Sequence, residues 1–254
     1  MSIGRRVRPY FATASMGATA GIGEHPIVLL DHAIALLRLA VLVLIWRAIE
    51  PDVVPYIVLV QLLYQQLDVR TEVLNAIWEG TVASRLLRPV SVFGDYLAEM
   101  VGGWALRWIT FSIPALALAL ALDVPLAPAS ATTAAIAAAS LALSIAVGAA
   151  VDFLLALAVI GSSENMWALR FAREQLVPVV SGAVIPLTLL PWHLGDILGV
   201  LPFASMVAAP VRIYTGDPNV VRLLALQVAW TAILWPATRY AWRRAAPTMV
   251  SFGG

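Results

Sequence analysis

The stretch Trp78-Glu79-Gly80-Thr81-Val82-Ala83-Ser84-Arg85-Leu86-Leu87-Arg88-Pro89-Val90 is a short charged and amphipathic island between long apolar runs. Val82 and Leu86, and likewise Ala83 and Leu87, stand four residues apart and so share a helical face, while Thr81, Arg85 and Arg88 point elsewhere. The spacing predicts one helix of roughly two turns within 78–90. Gly80 and Thr81 suit its start. Pro89, which lacks a backbone donor and disfavours helix at Arg88, suits its end. Almost everything else reads as membrane, so this segment has the form of a handle.

Composition sets the surroundings of that handle. Of 254 residues, 61% are hydrophobic and 12% charged, against roughly 25% charged in a soluble domain, and the mean hydropathy is +0.88. An all-α integral membrane protein follows, read as a single transmembrane domain over 1–254. No polar stretch is long enough to close a core of its own, so no separate catalytic or nucleotide-binding domain is expected. The absence of cysteine excludes disulfides, thiolate metal sites and cysteine nucleophiles. All 16 basic residues are arginine, which with the abundant alanine fits a GC-rich bacterial genome.

Residues 1–26 carry Arg5, Arg6 and Arg8 ahead of small residues. A cleaved signal would need an apolar core of roughly 7–15 residues that is missing here. The segment is therefore read as a cytoplasmic, partly amphipathic helix lying at the membrane interface and ended by Gly21, Gly23 and Pro26. At roughly 20 residues per crossing, six transmembrane helices are expected at 27–49, 53–70, 95–121, 129–160, 171–190 and 219–241. Arginine placement orients them. With both termini inside, eleven arginines fall on the cytoplasmic side and three outside, as the positive-inside rule requires. The handle then lies in the cytoplasmic loop between spans two and three. On the outer side, residues 191–218 are apolar yet interrupted by Pro191, Pro202 and Pro210. That predicts a pair of short re-entrant helices, with Pro186 kinking the span before them.

No catalytic constellation is legible. His25, His32 and His193 are scattered between the two sides, so no metal site is expected, and Asp31 beside His32 reads as an interfacial pair. A chain without lysine cannot carry a phosphate-binding loop of the usual lysine-containing kind. Charges inside the spans cost about 2.5–3.5 kcal/mol each at a helix centre. Glu99, Gly103 and Arg107 recur every four residues on one face of span three. Arg38 lies in span one and Asp152 in span four. The simplest expectation is that Arg38 or Arg107 pairs with Asp152 or Glu99; a substrate or proton pathway is the alternative. Ser140, Ser144 and Gly148 lead to Asp152 as a strip of small residues that admits another helix. Span two carries Gln61, Tyr64, Gln65 and Asp68 on one face, either for helix packing or as a translocation surface.

These features together resemble the membrane subunit of a type-two ABC exporter. Ile77, Gly80 and Leu86-Leu87-Arg88-Pro89 match the loop of a six-span branch of that family. Gly182, Ile185-Pro186-Leu187, Pro191, Leu201-Pro202-Phe203, Pro210 and Gly216 match its late motif. The resemblance implies that the handle is a coupling helix docked on a separate cytoplasmic ATP-binding subunit, present in two copies, which carries ATP and Mg; this chain binds no cofactor. It also implies a second six-span permease, either a related chain or itself, in a bacterial inner membrane. Membrane lipid is an expected partner and nucleic acid is not. The residues fit such docking, with Val82, Leu86 and Leu87 as the apolar face and Glu79, Arg85 and Arg88 as a polar rim. The re-entrant region, including Phe203, is a candidate gate. Lipid, glycan, peptide and hydrophobic small molecules all remain open as substrates. A proton- or ion-coupled secondary transporter using Glu99, Arg107 and Asp152 is the competing class, and a membrane-embedded enzyme a third.

Overall fold

The computed structural model describes residues 3–20, 25–160 and 163–252. In chain order the helices are α1 (Ile3–Ala20), α2 (His25–Ile49), α3 (Val54–Leu62), α4 (Tyr64–Leu67), α5 (Val73–Trp78), α6 (Val82–Leu86), α7 (Val92–Arg107), α8 (Ile113–Ala121), α9 (Ala131–Leu157), α10 (Ser163–Val180), α11 (Leu194–Val200), α12 (Pro202–Met206), α13 (Ala208–Tyr214) and α14 (Val220–Phe252). Among the described residues there is no strand.

Helix α9 is the post around which the others stand, because its many Ala, Ser and Gly residues let neighbours approach. It packs against α4, α5, α12, α13 and α14. Ser130 starts it, accepting from the Thr133 backbone N–H while the Thr133 hydroxyl accepts from the Ser130 N–H, so two orphan donors of the first turn are satisfied. Midway along, Val147 and Val151 join Tyr56, Ile57, Met206 and Val207 in the largest core cluster. The strip of small residues behaves as its spacing suggested. Gln227 of α14, fully buried, accepts from the Ser140 hydroxyl at 2.7 Å and donates to the Ser205 carbonyl at 2.9 Å. One amide thereby ties α9, α12 and α14 together, and a buried amide so satisfied fixes one packing arrangement.

Four helices are long and apolar enough to cross a membrane: Leu29–Ile49, Val92–Ala121, Ala131–Leu157 and Val220–Pro247. The two other expected spans differ from their sequence reading. The second, placed at 53–70, is an apolar stretch of Pro51–Leu62 that leaves helical geometry at Leu63 and ends in the four-residue α4. The fifth, placed at 171–190, is α10, which begins earlier and stops at Val180; Arg170, Arg173 and Glu174 keep its middle polar. The third crossing is continuous through a π-helical turn at Trp108–Ser112. Pro114 explains that turn, since it has no N–H to give the carbonyl four residues earlier.

The re-entrant pair is three helices, α11 to α13. Pro202 opens α12 as its first residue, where a missing N–H costs nothing. Pro210 is buried within α13, Phe203 packs against the main core, and Pro186 precedes a single 3-10 turn at Leu187–Leu189. Pro191 is exposed.

Candidate coupling segment and translocation cleft

The island at 78–90 folds as two short helices rather than one. Helix α5 closes at Trp78, Gly80 turns the chain with φ +72°, and α6 runs only over Val82–Leu86. A left-handed residue between them is a natural place for glycine, so Gly80 is the elbow of a helical hairpin instead of a helix start. The apolar face is also assigned differently. Val82 is 1% exposed and packs with Val73, Tyr96, Phe153 and Trp242, and Leu86 lies against the same cluster. Val82 thus holds the hairpin onto its own bundle and is covered by it, where a docking face was expected, while Leu86 is half-buried at the edge of the same cluster. The face turned away from the bundle carries Trp78, Glu79, Leu87 and Arg88, with Leu87 at 88% exposure.

Two carboxylates grip this hairpin. Asp95, 2% exposed in the first turn of α7, accepts from the Thr13 hydroxyl of α1 at 2.8 Å, from Arg88 at 3.1 Å and from Arg85 at 3.3 Å. Arg85 also pairs with Glu99 at 2.6 Å and lies over the Tyr96 ring, 4.2 Å from its centre. Burial alone would lower the Arg85 pKa; Glu99, Tyr96 and Asp95 together outweigh it and hold the guanidinium above its ordinary value. Arg85 is thus turned inward, engaged by its own chain. Helix α1 can reach Asp95 because Gly17 and Gly102 have no side chain: a methyl on either would overlap the Glu99 or Ala14 carbonyl.

Asp152, also 2% exposed, grips the other end of the hairpin. It accepts from the Thr71 backbone N–H at 2.8 Å and the Thr71 hydroxyl at 2.5 Å, and pairs with Arg173 of α10. Arg173 continues to the Val69 carbonyl, and Arg70 pairs with Asp68 at 2.6 Å and Glu174 at 3.5 Å. The expected partners of Asp152 and Glu99, Arg38 and Arg107, are therefore replaced by Arg173 and Arg85. Arg85 comes from the last turn of α6 and Arg173 from the polar middle of α10, between Arg170 and Glu174. Arg38 is exposed on α2.

Arg107 does share a face with Glu99 and Gly103, as their spacing indicated, and that face lines a polar cleft of about 420 Å³. Its opposite wall is Tyr64, Asp68 and Arg70, so the polar stripe of the second apolar segment meets the charged stripe of the third. Gln61 is half-buried, and the side chain of Gln65 lies outside the described residues. Asp95, Thr13, Arg173 and Gln227 were missed as functional positions. Asp95 had a visible signal in the Ser91 cap, whose hydroxyl accepts from the Gly94 N–H at 3.0 Å, marking a first helical turn where a carboxylate belongs.

A family model for ABC-2 family transporter proteins matches residues 51–253. The chain belongs to this family of transporter membrane proteins. It is accordingly a multi-pass membrane permease, the translocating and non-catalytic part of an ABC transporter. No curated protein and no solved structure matches the chain. The matched residues contain the hairpin, the polar cleft and the re-entrant helices of the permease. They leave out α1 and α2, so the Thr13 arm of the Asp95 node is contributed from outside the shared region.

Proposed function

We propose that this permease is half of an ATP-driven exporter and that the α5–α6 hairpin is where its ATP-binding subunit docks. One observation carries the reading: a hairpin clamped from behind by two buried carboxylates presents an almost fully exposed leucine, flanked by Trp78, Glu79 and Arg88. A large apolar side chain standing in water beside an aromatic and an arginine has the make-up of an interface anchor. In this reading two ATP-binding subunits hold ATP and Mg, a second permease completes the pathway, and alternating access moves a lipid, glycan, peptide or hydrophobic small molecule outward. The hairpin end is then cytoplasmic, as the arginine bias indicates, in a bacterial inner membrane with both termini inside. Helix α3 and α10 complete six crossings with α11 to α13 dipping into the outer leaflet. Ion-coupled transport fits less well, because Asp152 and Glu99, the carboxylates such a relay requires, are each held by an arginine.

The test is Leu87→Asp. The side chain makes little contact with its own bundle, so the variant is expected to fold as the parent does while losing co-purification of the ATP-binding subunit by at least about tenfold, the scale of one interface hot spot. Undiminished co-purification would refute the docking assignment.

A further inference from the structure

The polar cleft has an apolar neighbour. A second cleft of about 380 Å³ is lined by Leu63, Trp108, Ile113, Leu116, Ala138 and Leu141, among others. The two hollows share both walls. On one side the lining changes from apolar to polar between Leu63 and Tyr64, and on the other between Trp108 and Arg107. Across the junction the Trp108 indole N–H faces the Gln66 side-chain amide, whose oxygen accepts from it at 2.9 Å in the amide orientation that satisfies both of its groups. The π-helical turn falls at this point, and Ser112, which lines the apolar part, donates to the Leu62 carbonyl at 3.0 Å. The result is one groove with an ionic half and a greasy half.

Charge decides what the ionic half can take. Its carboxylates each face a partner: Asp68 pairs through one oxygen with Arg70 at 2.6 Å while the other, buried without a hydrogen bond, lies 4.0 Å from Arg173; Glu99 pairs with Arg85; and Glu72 accepts from the Asn75 amide at 2.6 Å. Arg107 is different. Among the described residues no carboxylate lies within ion-pair distance of it; it rests instead over the Phe111 ring, 4.9 Å from the centre, and more distantly over Tyr64. It stands fifteen residues from one end and fourteen from the other of the Val92–Ala121 crossing. A cation at that depth, turned toward a cleft, with the Asp31 charge of α2 acting on it only from beyond ion-pair distance, is a mark of a ligand pathway.

We propose that the groove binds an anionic amphiphile, its acidic head on Arg107 and its acyl chain along Leu63, Ile113 and Leu141, and that this is the substrate class of the permease. The second clause rests on the exporter reading; the first does not. The polar half opens toward the hairpin end, because Arg70 and Glu72 at the root of α5 line it, and the apolar half runs away toward Leu126 and Tyr214. The head site thus stands at the middle of the Val92–Ala121 crossing, reached from the hairpin end, and the tail site runs from it toward the opposite end of the spans.

Binding can be read on the purified full chain without any ATP-binding subunit, which separates failure of this proposal from failure of the docking assignment. Lysophosphatidylglycerol with a dibrominated acyl chain, added in a neutral maltoside detergent, is expected to quench tryptophan fluorescence, and the quench should be smaller in Trp108→Phe. The brominated lysophosphatidylcholine, of no net charge, should bind about tenfold more weakly, and Arg107→Gln should remove that preference. Ala138→Phe, which fills the apolar half, should weaken both probes with the helical circular dichroism and melting temperature retained. Equal affinity for the two probes, an Arg107→Gln variant that keeps the preference, or displacement by inorganic phosphate at the same concentration would each overturn the proposal. So would an intermolecular disulfide formed by Ala138→Cys in this otherwise cysteine-free chain, since a second copy would then occupy the groove.

Discussion

The two carboxylate nodes of the hairpin do the same job with different materials. Asp152 receives a backbone N–H, a hydroxyl and a buried arginine, and joins α9, α10 and the strand of chain leading into α5. Asp95 receives only side chains: a threonine from α1 and two arginines from the hairpin itself, of which Arg88 is exposed. A backbone donor cannot swing away without moving its helix, whereas an exposed arginine can rotate into water at small cost. The root of the hairpin is therefore a fixed joint and its tip a latch. For a docking element that must transmit a push, such a division places stiffness where the hairpin meets the spans and compliance where it meets a partner.

Removing either carboxylate tests that contrast. Asp152→Ala leaves the largely buried Arg173 with only the Val69 carbonyl and the more distant Asp68 at 4.0 Å, and strips the Thr71 N–H and hydroxyl of their acceptor; it is expected to cost about 3 kcal/mol of stability, the low end of the range for breaking a buried pair. In practice this is loss of the folded protein from detergent extracts or a large fall in its melting temperature. Asp95→Ala is expected to cost only about 1–2 kcal/mol, because Arg85 retains Glu99 and Arg88 can be solvated; the protein should fold, with the hairpin more open to proteolysis near Gly80. A costlier Asp95 substitution than Asp152 would reverse the assignment of joint and latch. Smaller still in its effect on the fold is Leu87→Asp, whose consequence falls on the partner.

What could be read from the chain follows the range of the interactions. The all-helical membrane character was legible, and so was each polar face by itself, Glu99-Gly103-Arg107 and Tyr64 with Asp68, because periodicity within one helix fixes which side chains travel together; that the two faces line one cleft was not, since periodicity does not name the neighbour. The close approach along Ser140, Ser144 and Gly148 was legible as well. The partners of Asp152 and Glu99 were not. Arg173 lies 21 residues beyond Asp152 on another helix, and no local rule ranks it above Arg38 or Arg107. The hairpin was misread for a subtler reason. Val82 and Leu86 do share a face, but an amphipathic period says only that two sides differ, and cannot say whether the apolar side meets its own bundle or another protein. Likewise Gly80 suits a helix start and an elbow equally well on sequence; its positive φ decides between them.

The central claim is that the outward face of the hairpin, and not its apolar face, meets the ATP-binding subunit. A photoreactive benzophenone amino acid placed in turn at Leu87 and at Val82, in cells carrying the whole transporter, measures this directly. The expected result is a crosslink to the ATP-binding subunit from position 87 and none from position 82. A crosslink from position 82, or from neither, would contradict it.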